Sequence, residues 1–282
     1  GLLPDADLVL GGAGTTHTFA GNLSLNGFLN AAGSTIDLHG TGVATNTSGP
    51  DSFPNTIVRG TYTVRGRIVG DLTYPATAIG VLTIPSNTIT VTGNATLLGP
   101  NLDGGGAGNS ALDVRGNLTL GTIQVFTQGS GPETIRCGGN WNSTNTYAPS
   151  RGRVYFDGGG TPTVITNHPL GGFRWFHLSL VGTTVTAPAG LDLVLGGNLD
   201  LPLGTALHVS GTTVLVNGNL AISGGTLGAT SATLVHVVGT STIQGGGLLN
   251  APAASFDADD HVTLIQAATI TIGGAGAMHR FA

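Results

Sequence analysis

The chain has 282 residues and a formal charge of −5, with no Lys and a single Glu, Glu133. A charged fraction of 8% beside an apolar fraction of 40% excludes a disordered chain, in spite of 49 Gly. All nine basic residues are Arg and form no run, which gives a nucleic-acid partner no support, and no apolar run reaches the ~18 residues of a membrane span.

Leu8-Val-Leu10 is the first strand-like run, and Gly11-Gly-Ala-Gly14 follows it. His17 to Leu25 then gives the first copy of a unit, Φ-x-Φ-x-Gly-Asn-Φ-x-Φ with Φ apolar. Residues 26–69 are less regular. Thr45 to Pro54, rich in Thr, Ser, Asn and Pro, reads as a loop, and Thr61 to Gly66 resumes strand. The unit is then regular at Ile89 to Leu97 and Leu112 to Leu120, and Ile135 begins a further copy. Its central Gly falls at 70, 93, 116 and 139, three steps of 23. Residues 140–192 are irregular and hold seven of the fifteen aromatics. Beyond them the Gly recurs at 197, 218 and 239, in steps of 21, and Asp260 keeps the frame. A fixed period near 22 joining short strands of period 2 is a solenoid signature.

One unit explains the fold. Alternation sends the two Φ residues on either side of the corner to one face. Gly-Asn is expected to turn the corner, because both residues tolerate positive φ. One coil of strand, corner, strand and turn buries little, but stacked coils pair strand on strand and build a continuous apolar column. Ile89, Leu112, Ile135, Leu193, Val214, Val235 and Phe256 should form one such column, with Val91, Val114, Cys137, Leu195, Val216, Val237 and Ala258 beside it. After the corner the column is Leu72, Ala95, Leu118, Trp141, Leu199, Leu220 and Val262. The expected fold is all-β, a parallel β-helix of about 12 coils of 19–24 residues, with no helical caps. Right-handedness follows from the general rule for parallel crossovers. Residues 1–282 read as a single domain, with longer turns at 26–69 and 140–192. Cys137 falls in an inward column and reads as a small buried hydrophobe.

The end of the chain repeats its beginning. Ile270 to Ala282 aligns with Leu8 to Ala20 at an offset of 262, with seven of thirteen residues identical. The six apolar residues Leu8, Leu10, Phe19, Ile270, Ile272 and Phe281 are therefore expected at assembly ends. Either the chain is one link of a tandem array, or its end is shaped to continue onto another copy.

The Gly-Asn-Leu-x-Leu coils resemble the secreted parallel β-helix proteins of bacteria, namely filamentous adhesins, autotransporter-type passengers and large repetitive surface proteins. Trp141 to Leu180, with Asn140-Trp141, Gly152-x-Val-x-Phe-x-Gly158 and Phe173 to Leu180, is similar to a recurring element of such proteins. The resemblance implies an extracellular or cell-surface structural role and carries over no catalytic residue.

Candidate sites are few. Asp257, Asp259 and Asp260, beside His261, form the one acidic cluster. Two carboxylates on one face suit calcium or, less well, acid–base work; a solvated outer coil with no metal is the simpler reading. Trp141, Tyr147, Tyr155, Trp175, Arg151, Arg153 and Arg174 could form a glycan-binding platform, or plug an irregular core. No catalytic residue and no cofactor other than calcium is expected. The favoured reading is a non-enzymatic subunit or tandem segment of an extracellular fibre, sheath or surface structure, its partner itself, head to tail. An adhesin or carbohydrate-binding module, with surface polysaccharide as partner, is the alternative, and a polysaccharide lyase or hydrolase ranks third.

Overall fold

The computed structural model describes residues 8–25, 29–31, 33–46, 53–85, 88–103, 110–121, 126–127, 134–143, 152–158, 163–166, 172–175, 177–187, 190–274 and 276–281. The fold is an all-β parallel solenoid, and no helix occurs among the described residues. The chain forms two compact units, residues 1–136 and 137–282.

In the first unit, one parallel sheet takes Thr16–Phe19, Thr35–Leu38, Asn55–Val58, Leu72–Tyr74, Ala95–Leu97 and Leu118–Leu120. A second takes Leu23–Leu25, Thr41–Asn46, the first half of Thr61–Ile68, Leu82–Thr83, Leu102–Asp103 and Phe126–Thr127. A third begins with the second half of Thr61–Ile68 and continues through Thr88–Val91 and Ala111–Val114. Leu8–Val9 pairs apart from these, with Leu29–Asn30. Alternation works as expected: Ile89, Val91, Leu112 and Val114 are buried and paired Ile89 to Leu112 and Val91 to Val114. Of the loop expected over Thr45–Pro54, residues 47–52 lie outside the described residues; Thr45 and Asn46 end strand Thr41–Asn46, and Phe53 is buried and bridges Ile68.

The buried phenols of Tyr62 and Tyr74 find backbone partners, as an apolar interior requires. Tyr62 Oη lies 2.8 Å from the carbonyl oxygen of His39 and 3.0 Å from that of Gly21. The Tyr74 hydroxyl donates to the carbonyl of Gly80 at 2.6 Å. Burial holds both phenols above the ordinary tyrosine pKa of 10.0.

In the second unit each coil has three strands, not the two expected. The run from Asp192 shows this: Asp192–Leu195, the Gly-Asn corner, Leu199–Pro202, then Ala206–His208. The third strand recurs as Thr226–Gly228, Leu248–Ala251 and Thr269–Ile272. Its inward column is Leu207, Leu227, Leu249 and Ile270. In Ala206–His208 and Thr226–Gly228 one apolar side chain alone faces inward, so alternation does not mark those strands.

The expected columns also break between residues 141 and 199. Trp141 pairs with Ile165, on the sheet that later holds Leu207, Leu227 and Leu249. Leu199 instead stacks on Leu178, which stacks on Val154. Cys137 belongs near Phe156, since its carbonyl accepts the N–H of Asp157 at 3.2 Å. It is therefore not in one column with Leu195, which pairs with Trp175. The 58 residues from Gly139 to Gly197 make two coils, ending at Leu180, and then two further strands, Thr184–Thr186 and Asp192–Leu195, so the repeat resumes two faces later. Every face is apolar inside, so the slip leaves the core continuous: Trp141, Phe156, Leu178, Leu199 and Leu207 are all buried. Trp141 and Phe156 meet edge to face at 5.9 Å between centroids.

The corners are built differently from the expectation too. Gly70 has the expected positive φ, 127°, but Gly93, Gly116, Gly218 and Gly239 do not, and nor do Asn94, Asn117, Asn219 and Thr240 that follow them. Gly is required there for space. A Cβ on Gly218 would lie 2.4 Å from Oδ1 of Asn198 and 2.7 Å from the backbone of Gly197. The Asn side chain occupies the room so left. Its Oδ1 accepts the backbone N–H at the same corner one coil on: Asn94 from Asn117 (2.9 Å), Asn198 from Asn219 (2.9 Å), and Asn219 from Thr240 (3.0 Å). Other acceptors take over where Asn is missing. Asp71 serves Asn94 at 2.7 Å, Asn55 serves Asp71 at 2.9 Å, and Nδ1 of His177 serves Asn198 at 2.9 Å.

Candidate functional site

The coil from Val262 to Phe281 is the site of greatest interest. Its strands are Val262–Leu264, Thr269–Ile272 and Arg280–Phe281, each laid in register on the coil before. Leu264 stacks on Ile243, Ile270 on Leu249, Ile272 on Ala251 and Phe281 on Ala258. The supporting residues are buried completely, whereas Leu264 is 53% and Phe281 54% exposed. Val262, Leu264, Ile270, Ile272 and Phe281 together line an open apolar pocket, the bare interior of the solenoid. The Phe281 ring lies 5.6 Å from that of Phe256. Of the expected assembly residues, Ile270, Ile272 and Phe281 are brought together here. Leu8, Leu10 and Phe19 lie half-buried in the first coil of the other unit. Val262 and Leu264 were missed as members of this mouth, although their place after the Asp260 corner assigns them inward.

This coil follows the path of its neighbour at a cost. Gln266 and Ala267 have φ of 52° and 59°, and the carbonyl of Gln266 accepts the N–H of Gly246 at 3.0 Å. In the coil below, the left-handed positions are Gly245 and Gly246, which adopt them without a Cβ penalty. Stacking holds Gln266 and Ala267 in the same conformation, each against about 1–2 kcal/mol of steric preference.

The edge of the mouth is charged. Nε of Arg280 donates to Asp257 at 2.6 Å, and its Nη2 donates to Asp259. Asp259 also meets Nε2 of His236 at 3.1 Å. The two carboxylates raise the Arg280 pKa still further above neutrality, Asp257 contributing most. Asp260 stands apart at the corner, paired with His261, whose hydrogen bonds hold its carboxyl below the usual carboxylate pKa. The three expected calcium ligands therefore do not converge. Ligand atoms of Asp257, Asp259 and His236 do lie within 4.8 Å of one another, but the Arg280 guanidinium already pairs with both carboxylates. His236 and Arg280 stand one coil to either side of Asp257, and the period carries the signal that would have found them.

Of the aromatic and Arg group, the side chains of Trp141, Arg153 and Tyr155 are described. Trp141 is fully buried and presents no face to a sugar, so it leaves the proposed platform. Tyr155 and Arg153 point outward together, with Nη1 donating to the phenol oxygen at 3.0 Å and the guanidinium carbon 5.7 Å from the ring centroid. Tyr147 and Arg151 lie outside the described residues, and of Arg174 and Trp175 only the backbone strand Gly172–Trp175 is described.

Compared with protein-family models, with curated proteins and with solved structures, the chain matches none. Its class rests on its own geometry: a protein of the parallel β-solenoid type, with one coil whose apolar interior is open.

Proposed function

We propose that the protein is a non-enzymatic structural solenoid, a subunit or tandem-repeat segment of an extracellular fibre, sheath or surface structure, joined head to tail. The observation that carries this reading is the in-register stacking of parallel coils through Val262–Phe281, together with the repeat of Leu8–Ala20 at Ile270–Ala282. Parallel strands with unpaired N–H and C=O groups template further strands, and a contact between unlike ends does not close on itself, so it propagates. The low charge and the Gly, Thr and Asn-rich coils support a place outside the cell or at its surface, in line with the resemblance to bacterial surface β-helix proteins. The acidic cluster supports no catalytic reading, because its carboxylates are engaged by Arg280, His236 and His261.

The test is electron microscopy and sedimentation of concentrated protein. Wild-type chains should form long particles. Leu264→Asp with Phe281→Asp should stay monomeric with an unchanged β-sheet spectrum, as should Leu8→Asp with Leu10→Asp. Wild-type chains that remain monomeric at high concentration would overturn the assembly reading and favour an adhesive, polysaccharide-binding module.

A further inference from the structure

The repeated end segment has a defined seat in this fold. Residues 8–19 lie on residues 29–39 through four backbone hydrogen bonds: Leu10 N–H to Asn30, Gly14 N–H to Gly33, Thr35 N–H to Thr15 and His39 N–H to Phe19, at 2.8–2.9 Å. Ala13 packs on Gly33 so closely that a Cβ there would sit 2.9 Å from its methyl, and a Cβ on Gly40 would sit 2.7 Å from the carbonyl of Ala20. Phe19 pairs with Leu38, and Thr18 with Asp37.

At an offset of 262 four of these contact residues recur unchanged, while Thr15 becomes Ala277. Ala13, Gly14, Phe19 and Ala20 correspond to Ala275, Gly276, Phe281 and Ala282, and Leu8 and Leu10 become Ile270 and Ile272. The left-handed turn recurs as well, although Gly273 and Gly274 have φ of 141° and 144° where Gly11 and Gly12 have no positive φ. Gly14 has φ of 83° and Gly276 84°; Thr15 N–H donates to Gly12 at 3.2 Å and Ala277 N–H to Gly274 at 3.1 Å. Both segments are a strand, the same left-handed glycine turn, and a second strand. The main outward change is Thr18 to Arg280, and the residue opposite Thr18 is an acid, Asp37, held by Arg59 at 3.0 Å.

We propose that residues 270–281 are a donor coil: they seat on residues 29–40 of a second copy of this chain, in place of that copy's own residues 8–19. This rests on the head-to-tail reading and specifies its partner surface. The mouth is then covered by the second copy's Leu29, Ile36 and Leu38, and Arg280 comes to lie between Asp257 of its own chain and Asp37 of the second. The segment that enters shares seven of thirteen residues with the one it displaces, and replacing a segment by a like one is a low-cost route to association.

Simple stacking of residues 8–19 on residues 270–281 predicts a different neighbour, and disulfide cross-linking separates the two. Exposed Thr271 would face Asn30 of the second copy in the exchange, following the Val9 to Asn30 pairing, but Val9 in simple stacking. Adjacent parallel strands bring such Cα atoms to about 5 Å, within disulfide reach. Full-length Thr271→Cys is refolded together with either Asn30→Cys or Val9→Cys, then oxidised; the buried Cys137 is common to all. The expected result is a cross-linked dimer in the first mixture, above the level of each variant alone, and none in the second. A dimer only with Val9→Cys overturns the donor coil and leaves head-to-tail stacking intact. Cross-linking in neither mixture overturns the donor coil, and if the wild-type chain is also monomeric the head-to-tail reading falls with it.

Discussion

Asn219→Ala isolates one rung of the corner ladder. Its Oδ1 accepts the N–H of Thr240 at 3.0 Å, and the substitution removes that acceptor without touching the core. The corner is exposed, so water reaches the released N–H and the full penalty of a buried unsatisfied donor does not apply. What is lost is the net value of one hydrogen bond, about 0.5–1.5 kcal/mol. Asn198→Ala removes a separate bond, to the N–H of Asn219 at 2.9 Å, so the double variant should lose roughly the sum, about 1–3 kcal/mol. Asn219→Asp keeps an acceptor in place and should stay within about 0.5 kcal/mol of wild type. Urea denaturation followed by circular dichroism measures all four proteins, with stability read from the midpoint at constant slope. A wild-type midpoint for Asn219→Ala, or an equal loss in Asn219→Asp, would refute the ladder as a source of stability.

Gly218→Ala should cost about 1–3 kcal/mol in the same assay, because its methyl would overlap Oδ1 of Asn198 and the Gly197 backbone. Ala267→Gly should raise stability by up to about 1 kcal/mol, the relief of a left-handed Ala outweighing the entropy of an added Gly. His177 is held below its ordinary pKa of 6.5 by burial, then by Arg153, and its Nδ1 must be unprotonated to accept from Asn198. Its contribution is present above pH 6.5 and is lost as acid drives the pH down through the lowered folded value; His177→Asn should flatten that limb of a stability–pH curve. The raised pKa values of Tyr62 and Tyr74 act on the alkaline side: their contribution is full below 10.0 and disappears as pH climbs through the folded values. The double Tyr→Phe variant should therefore lose less stability on going from neutral pH to above pH 10.0 than wild type does.

Much of this fold was readable because alternation and a fixed period report directly on which side chains must be buried. Ile89, Val91, Leu112 and Val114 are inward and in register as the pattern requires. Ala206–His208 and Thr226–Gly228 escaped because a strand with one inward apolar side chain has no alternation to read. The reason for the corner glycines escaped because it lies in the neighbouring coil: what excludes a Cβ at Gly218 is Asn198, twenty residues earlier in the sequence. The face slip after Gly139 was hidden because Leu, Val and Trp at inward positions say that a residue is buried but not on which of three sides. At the acidic cluster, sequence order put Asp260 with its neighbours, whereas coil stacking brings His236 and Arg280 to Asp257 and Asp259. The mouth at residues 262–281 was anticipated from the repeated ends, and its strand register came only from the structure.

The passage of the repeat from one face to the next makes the three walls interchangeable. A conventional domain assigns each strand one neighbour, and inserting a single strand would misalign all that follow. Here two strands added after two whole coils move every later corner around the axis and leave the interior filled. Such a chain can grow or shrink by thirds of a turn, so its length and the direction in which a given surface feature points are adjustable independently of its stability. For a lineage, or a designer, that means a binding loop can be rotated around the solenoid axis by inserting one short apolar strand upstream, with no redesign of the core.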